Sequence, residues 1–117
     1  MALDTSNLVE LTMAICDIES VSGNEAALAD EVEKLLSGYS HLSVVRDGNA
    51  IVASTNMGLG SRVVIAGHID TVPIANNLPT QLHHFEREQV IVGRGTVDMK
   101  AGVACLLYTS PSPRDRG

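Results

Sequence analysis

The stretch RVVIAGHID, residues 62–70, decides how the fold of this chain is read. From Val63 to Gly67 it is apolar without a break, lacking the alternation of a strand with one wet face. The run 62–67 therefore predicts a strand buried on both faces, inside a sheet with helices on each side. His68 and Asp70 follow at once, where open α/β sheets place their ligands. At spacing i, i+2 on extended backbone, these two side chains project to the same side.

Upstream of that strand the period is two. HLSVVR (41–46) and AIVAST (50–55) flank Asp47-Gly48-Asn49, a hairpin signal because glycine tolerates positive φ. Further back the period is helical. Leu8, Leu11, Ile15 and Ile18 predict one helix over 7–19, with Ser6 or Asn7 as its cap and Glu10 placed for a reciprocal cap. VSGN (21–24) interrupts the pattern, and a second helix is expected from Glu25 to Leu36. Its inner face would carry Ala27, Leu28, Val32, Leu35 and Leu36, and Gly38 would end it as glycine commonly does. Glu25, Asp30, Glu31 and Glu33 read as a solvated outer face and first turn. Downstream, short β-like stretches at 81–85 and 89–92 precede a helix starting near Asp98. The fold class is α/β: helix, helix, hairpin, buried strand, helix in a layered domain.

Length and charge narrow the function classes. The 117 residues suit one domain at most, and 44% hydrophobic content is that of a globular chain. Fourteen acidic against eight basic residues give a net charge of −6, which argues against nucleic-acid binding. No apolar run approaches the ~20 residues that span a bilayer, and MALDTSNLVE has no basic n-region of a signal peptide. Cys16 and Cys105 are too few for a disulfide framework or a cysteine zinc site. Cys16 reads as a buried small hydrophobe in the first helix. A cytoplasmic protein is expected.

The composition breaks near the end. CLLYTSPSPRD (105–115) resembles the in-frame translation of a transposase sequencing adapter, and Pro111 and Pro113 would stop the preceding helix. Residues 1–104 are therefore read as the native portion and 105–117 as a non-native tail; a natural Ser/Pro-rich tail is the alternative.

Two stretches carry chemistry. In IAGHIDTVP (65–73), His68 is a good first-row metal ligand, and a carboxylate such as Asp70 can fix its tautomer. Alone, the pair reads first as a polar strand end with His68 hydrogen-bonded to backbone. In GRGTVDMKAG (93–102), Gly93 and Gly95 allow a tight path and Asp98 precedes a helix start. Alone, Asp98 would be an N-cap, and Lys100 would be exposed or ion-paired. His83 and His84 are adjacent on a predicted strand, so they face opposite ways and make no shared site; His41 is expected to face solvent. There is no GxSxG, and no cysteine lies near a candidate base.

Taken together and in this order, GHIDTVP and GRGTVDMKAG resemble the paired signatures of the co-catalytic zinc metallopeptidases. That family includes aminoacylases, glutamate carboxypeptidases, acetylornithine deacetylases and succinyl-diaminopimelate desuccinylases. The resemblance covers nearly all of residues 5–104, including the VSGNE turn, and RDGNAIVASTN and PIANNLPT most resemble the actinobacterial desuccinylase branch. It implies that His68 is a ligand to one zinc, that Asp98 bridges two zincs, and that Asp70 supports the His68 ring from behind. Two Zn2+ ions would occupy a complete site, with Co2+ a possible substitute. The implied reaction is amide hydrolysis: N-succinyl-LL-2,6-diaminopimelate and water give succinate and LL-2,6-diaminopimelate. Acetylornithine deacetylase-like chemistry on another acyl-amino acid is the alternative, and a non-catalytic fragment is the third reading.

The departures shape a further expectation. The family's Glu-Glu pair, further acidic ligand, late His and separate dimerisation domain have no counterpart in these 117 residues. The chain is accordingly expected to be the first part of a longer, homodimeric enzyme, itself inactive, a poor zinc binder and marginally stable.

Overall fold

The computed structural model describes residues 3–55, 60 and 64–109. Helix α1 (Leu8–Asp17) starts where Asn7 leaves helical geometry at φ −141° and its side chain accepts from the Glu10 N–H at 3.0 Å. Of the two caps the sequence allowed, Asn7 is the one used. Helix α2 (Ala26–Ser37) buries Leu28, Ala29, Val32 and Leu36; Ala29 stands on the inner face and Ala27 is exposed, reversing the expectation for that pair. Gly38 ends α2 at φ −74°, in right-handed geometry, so the positive φ that glycine permits is not used there. The Gly38 and Tyr39 N–H groups instead close tight turns on the Leu35 and Leu36 carbonyls.

Strands β1 (Leu42–Asp47) and β2 (Ala50–Thr55) form the expected antiparallel hairpin, with Asp47 opposite Ala50. Asp47 is thus the last strand residue, and Gly48-Asn49 is the turn, with Gly48 at φ +61°. One hairpin face packs Leu42, Val44 and Ile51 against the helical core, while Val45 and Val52, directly opposed, stay 61% and 62% exposed. The acidic residues of α2 are not simply solvated. Arg46 of β1 reaches Asp30 at 2.6 Å and Glu33 at 3.0 Å, and Asn49 donates to Glu25 at 3.1 Å. These contacts clamp the hairpin turn to α2, and the Asp30 bond raises the Arg46 pKa above its ordinary value.

Strands β3 (Gln81–Phe85) and β4 (Glu88–Val92) make a second antiparallel hairpin, leaving two separate two-stranded sheets among the described residues. His83 and His84 both lie exposed on β3. His41 is half-buried rather than solvent-facing, its ring edge-on to Tyr39 at 5.8 Å. Helix α3 (Ala101–Thr109) inserts Val103, Ala104 and Leu107 into a core shared with Leu11 and Ile15 of α1 and Leu28, Val32 and Leu36 of α2. Cys16 is buried in α1 as expected, and loss of solvent pushes its thiol pKa up to about 11. Helix α3 runs unbroken through residue 105; the Pro111 and Pro113 stop lies outside the described residues.

The buried strand does not appear. Residues 64–70 carry no strand assignment, and Val64 and Ile65 are 79% and 64% exposed; residues 62 and 63 lie outside the described residues. An apolar run becomes a central strand only where neighbouring strands offer ladder partners on both sides. Among the described residues the segment finds one partner, an isolated parallel bridge from Thr71 to Val21. The α/β class stands, with helices packed together and the hairpins at their margins.

Candidate functional site

That single bridge builds the floor of the site. Residues 20–22 and 69–71 run side by side: the Thr71 N–H donates to the Ser20 carbonyl and the Ser22 N–H to the Thr71 carbonyl, each at 2.9 Å. Ser20 Oγ adds a bond to the Ile69 carbonyl at 2.5 Å. Backbone held at this one place fixes Asp70, whose Oδ2 accepts from Ser22 Oγ at 2.5 Å. Sequence reading missed Ser22 as a site residue; its one signal was the VSGN turn, read there only as a helix break.

Asp70 in turn faces His68. Its Oδ1 lies 3.1 Å from His68 Nδ1, and its backbone carbonyl lies 3.2 Å from the same nitrogen. On the other side of the ring, Nε2 is 3.0 Å from Asp98 Oδ1. The structure therefore brings together all three residues that the motifs singled out, across a separation of thirty positions. Both ring nitrogens face acceptors, and an imidazole can satisfy two acceptors only when both nitrogens carry protons. Accordingly the Asp98 contact, helped by Asp70, holds His68 above its ordinary pKa. The Ser22 hydroxyl and the His68 ring hold Asp70 below the usual carboxylate value.

Asp98 is not an N-cap. It sits at φ −128°, ψ 92° inside a wide turn, Thr96–Lys100, and α3 begins only at Ala101. The turn opens on Gly95 at φ +85°, where a Cβ would stand 2.9 Å from Thr71 Cγ2 and 3.2 Å from Lys100 Cδ. The Asp98–Met99 peptide is cis. Met99 lies over the other motif: its sulfur accepts the His68 N–H at 3.4 Å, and its methyl fills the space a Gly67 side chain would need. Lys100 overturns the expectation of an exposed or ion-paired side chain. It is 1% exposed, and Nζ donates to the Ile15 and Ile18 carbonyls at 3.1 and 2.8 Å, at the C-terminal end of α1. Burial lowers its pKa.

These groups border a cleft of about 380 Å³, lined by Ser22, His68, Asp70, Arg94, Thr96 and Asp98 among others. The Asp98 side chain stands open in it at 86% exposure. Imidazole Nε2 and a carboxylate oxygen facing each other are the donor types zinc takes. They fit in kind, and as two donors. Among the described residues, no group of three or more His, Cys, Asp or Glu side chains could hold a metal ion. His83 and His84 do not approach this cleft.

Residues 64–117 match the model of peptidase family M20/M25/M40. Over 103 residues, 86% of the chain, it is 47% identical to a succinyl-diaminopimelate desuccinylase of Corynebacterium glutamicum. Over 101 residues it is 46% identical to a putative succinyl-diaminopimelate desuccinylase of Mycobacterium tuberculosis. A probable carboxypeptidase of Ajellomyces capsulatus is 33% identical over 123 residues, 92% of the chain. The chain spans 27% of the length of each of the two bacterial relatives and 28% of the fungal one. Both halves of the His68–Asp98 contact fall inside the family match, and the likeness to the desuccinylases continues ahead of it over 86% of the chain: this chain is similar to one part of the proteins of peptidase family M20/M25/M40.

Proposed function

We propose that this chain supplies part of the metal-binding face of a zinc-dependent amide hydrolase acting on N-succinyl-LL-2,6-diaminopimelate. The observation that carries the reading is the convergence of His68, Asp70 and Asp98 on one cleft. In it His68 Nε2 and the Asp98 carboxylate would hold zinc. Zinc held there would supply Lewis acidity for the hydrolysis of the amide. Asp70 keeps the His68 ring turned toward Asp98 and raises its basicity, and Ser22 keeps Asp70 in place. Two donors are short of the about three protein ligands plus water of a catalytic zinc, so these 117 residues alone are expected to bind zinc weakly and to hydrolyse nothing. The complete enzyme is proposed to be a cytoplasmic homodimer whose partner is a small acylated amino acid. Residues 105–117 are proposed to be foreign to it.

A second reading is favoured by the fungal relative: a carboxypeptidase-like enzyme cleaving a peptide amide with the same donors. The test is a chimera in which residues 1–104 replace the matching segment of the Corynebacterium glutamicum desuccinylase. Zinc-dependent release of succinate from N-succinyl-LL-2,6-diaminopimelate, lost in His68→Ala and Asp98→Ala, is the expected result. A chimera that folds and binds zinc yet releases nothing from this substrate would overturn the desuccinylase reading. Turnover of N-acetylornithine or a dipeptide instead would select the alternatives.

A further inference from the structure

Lys100 is the largest fully buried side chain among the described residues, and nothing in amide hydrolysis calls for it. Its environment is specific. The stem passes Gly95, whose missing side chain leaves room for Lys100 Cγ and Cδ, and the ammonium ends on two carbonyls of α1. Those carbonyls, Ile15 and Ile18, lie where a helix runs out of internal donors and where its dipole favours a cation. A methionine would fill similar space without the cost of burying a charge, so the ammonium is retained for what it bonds.

What it bonds determines where Asp98 stands. The turn 96–100 has two residues, Asp98 and Met99, outside helical geometry, and its Gly95 start has no side-chain cap. Backbone bonds close it on itself, from Lys100 N–H to the Gly95 carbonyl at 2.8 Å and from the Ala101 N–H to the Thr96 carbonyl. The Thr96 hydroxyl bonds the Gly93 carbonyl just ahead of the turn; among the described residues, the contacts that reach distant parts of the chain with a side chain other than Asp98's own are Met99 sulfur to the His68 N–H and Lys100 Nζ to α1. We propose that Lys100 is a positioning residue, tying the turn to the end of α1 so that Asp98 meets His68 Nε2. The proposal rests on the reading of Asp98 as a functional group, but not on any metal or substrate.

The experiment uses the 117-residue chain, metal-free, with 15N-labelled histidine. Long-range 1H–15N spectra report the state of both His68 ring nitrogens. Asp98→Asn defines the shift that follows loss of the carboxylate contact, and Lys100→Met is expected to reproduce it while far-UV circular dichroism stays unchanged. Val32→Ala, a core substitution in α2 away from the cleft, is expected to lower the melting temperature without moving the His68 signals. A folded Lys100→Met chain with the wild-type His68 signals would overturn the proposal. Should Lys100→Met fail to fold, the wild-type chain decides. A slowly exchanging Nζ signal with cross-peaks to Ile15 and Ile18 supports the tether, and its absence overturns it. Because the readout needs no zinc, failure here and failure of the chimera assay are separate results.

Discussion

At the scale of the residue, His68 shows how neighbours set a protonation state. Asp98 on one nitrogen and Asp70 on the other both accept, so the doubly protonated ring is favoured and the pKa rises above 6.5. The contribution to stability from a raised histidine is present below the unfolded pKa and is lost as pH rises through the folded one. NMR titration of the metal-free chain should therefore place the His68 midpoint above 6.5, and Asp98→Asn should bring it down; an unchanged midpoint in the variant would break the assignment. The same proton competes with any cation bound between Nε2 and Asp98, so zinc affinity should increase with pH across that midpoint. His68, Asp70 and Asp98 could be singled out from sequence because GHIDTVP followed by GRGTVDMKAG resembles the paired signatures of a known family, although either stretch alone reads as an ordinary strand end or helix cap. Ser22 and Lys100 could not, because a serine in a turn and a lysine before a helix look ordinary until their partners, 48 and 82 or more positions away, are placed.

Elements bounded by local rules were legible, and those needing distant partners were not. The Asn7 cap, the spacing of Leu11 and Ile15, and the Gly48-Asn49 turn act within a few residues, so α1, α2 and the first hairpin emerge close to their predicted bounds. The turn carrying Asp98 is the opposite case. Its shape depends on Gly95 at φ +85° packed against Thr71 and the Lys100 stem. Gly95→Ala is therefore expected to destabilise the chain by about 1–3 kcal/mol, through left-handed strain plus the clash with Thr71. Equilibrium urea unfolding measures this, and a loss below about 0.5 kcal/mol would mean that the turn relaxes freely.

For the whole molecule, the described residues bury one core where three helices meet and leave apolar surface elsewhere. Val45 and Val52 stand side by side on the outer hairpin face, and Val64 and Ile65 are open to solvent. Adjacent exposed valines on a ribbon that is two-stranded among the described residues invite association. Self-association should be visible by light scattering at tens of micromolar, and Val45→Lys with Val52→Thr should reduce it with little change in melting temperature. Equal scattering from the double variant would place the sticky surface elsewhere. No helix among the described residues is long and apolar enough to cross a membrane.

The sequence by itself determined the first two helices, the first hairpin and the α/β class, because periodicity, capping and turn chemistry are properties of short segments, and its resemblance to a known family picked out the three residues of the cleft. Tertiary structure alone decided that 64–70 is open chain beside the Thr71–Val21 bridge, held also by Ser20, Ser22 and Met99, that Lys100 is buried on the end of α1, and that Asp98 faces His68. A strand requires ladder partners, a buried ammonium requires acceptors, and a donor pair requires two turns held in register. Each of these is a relation between segments far apart in the chain, and neither segment carries it alone.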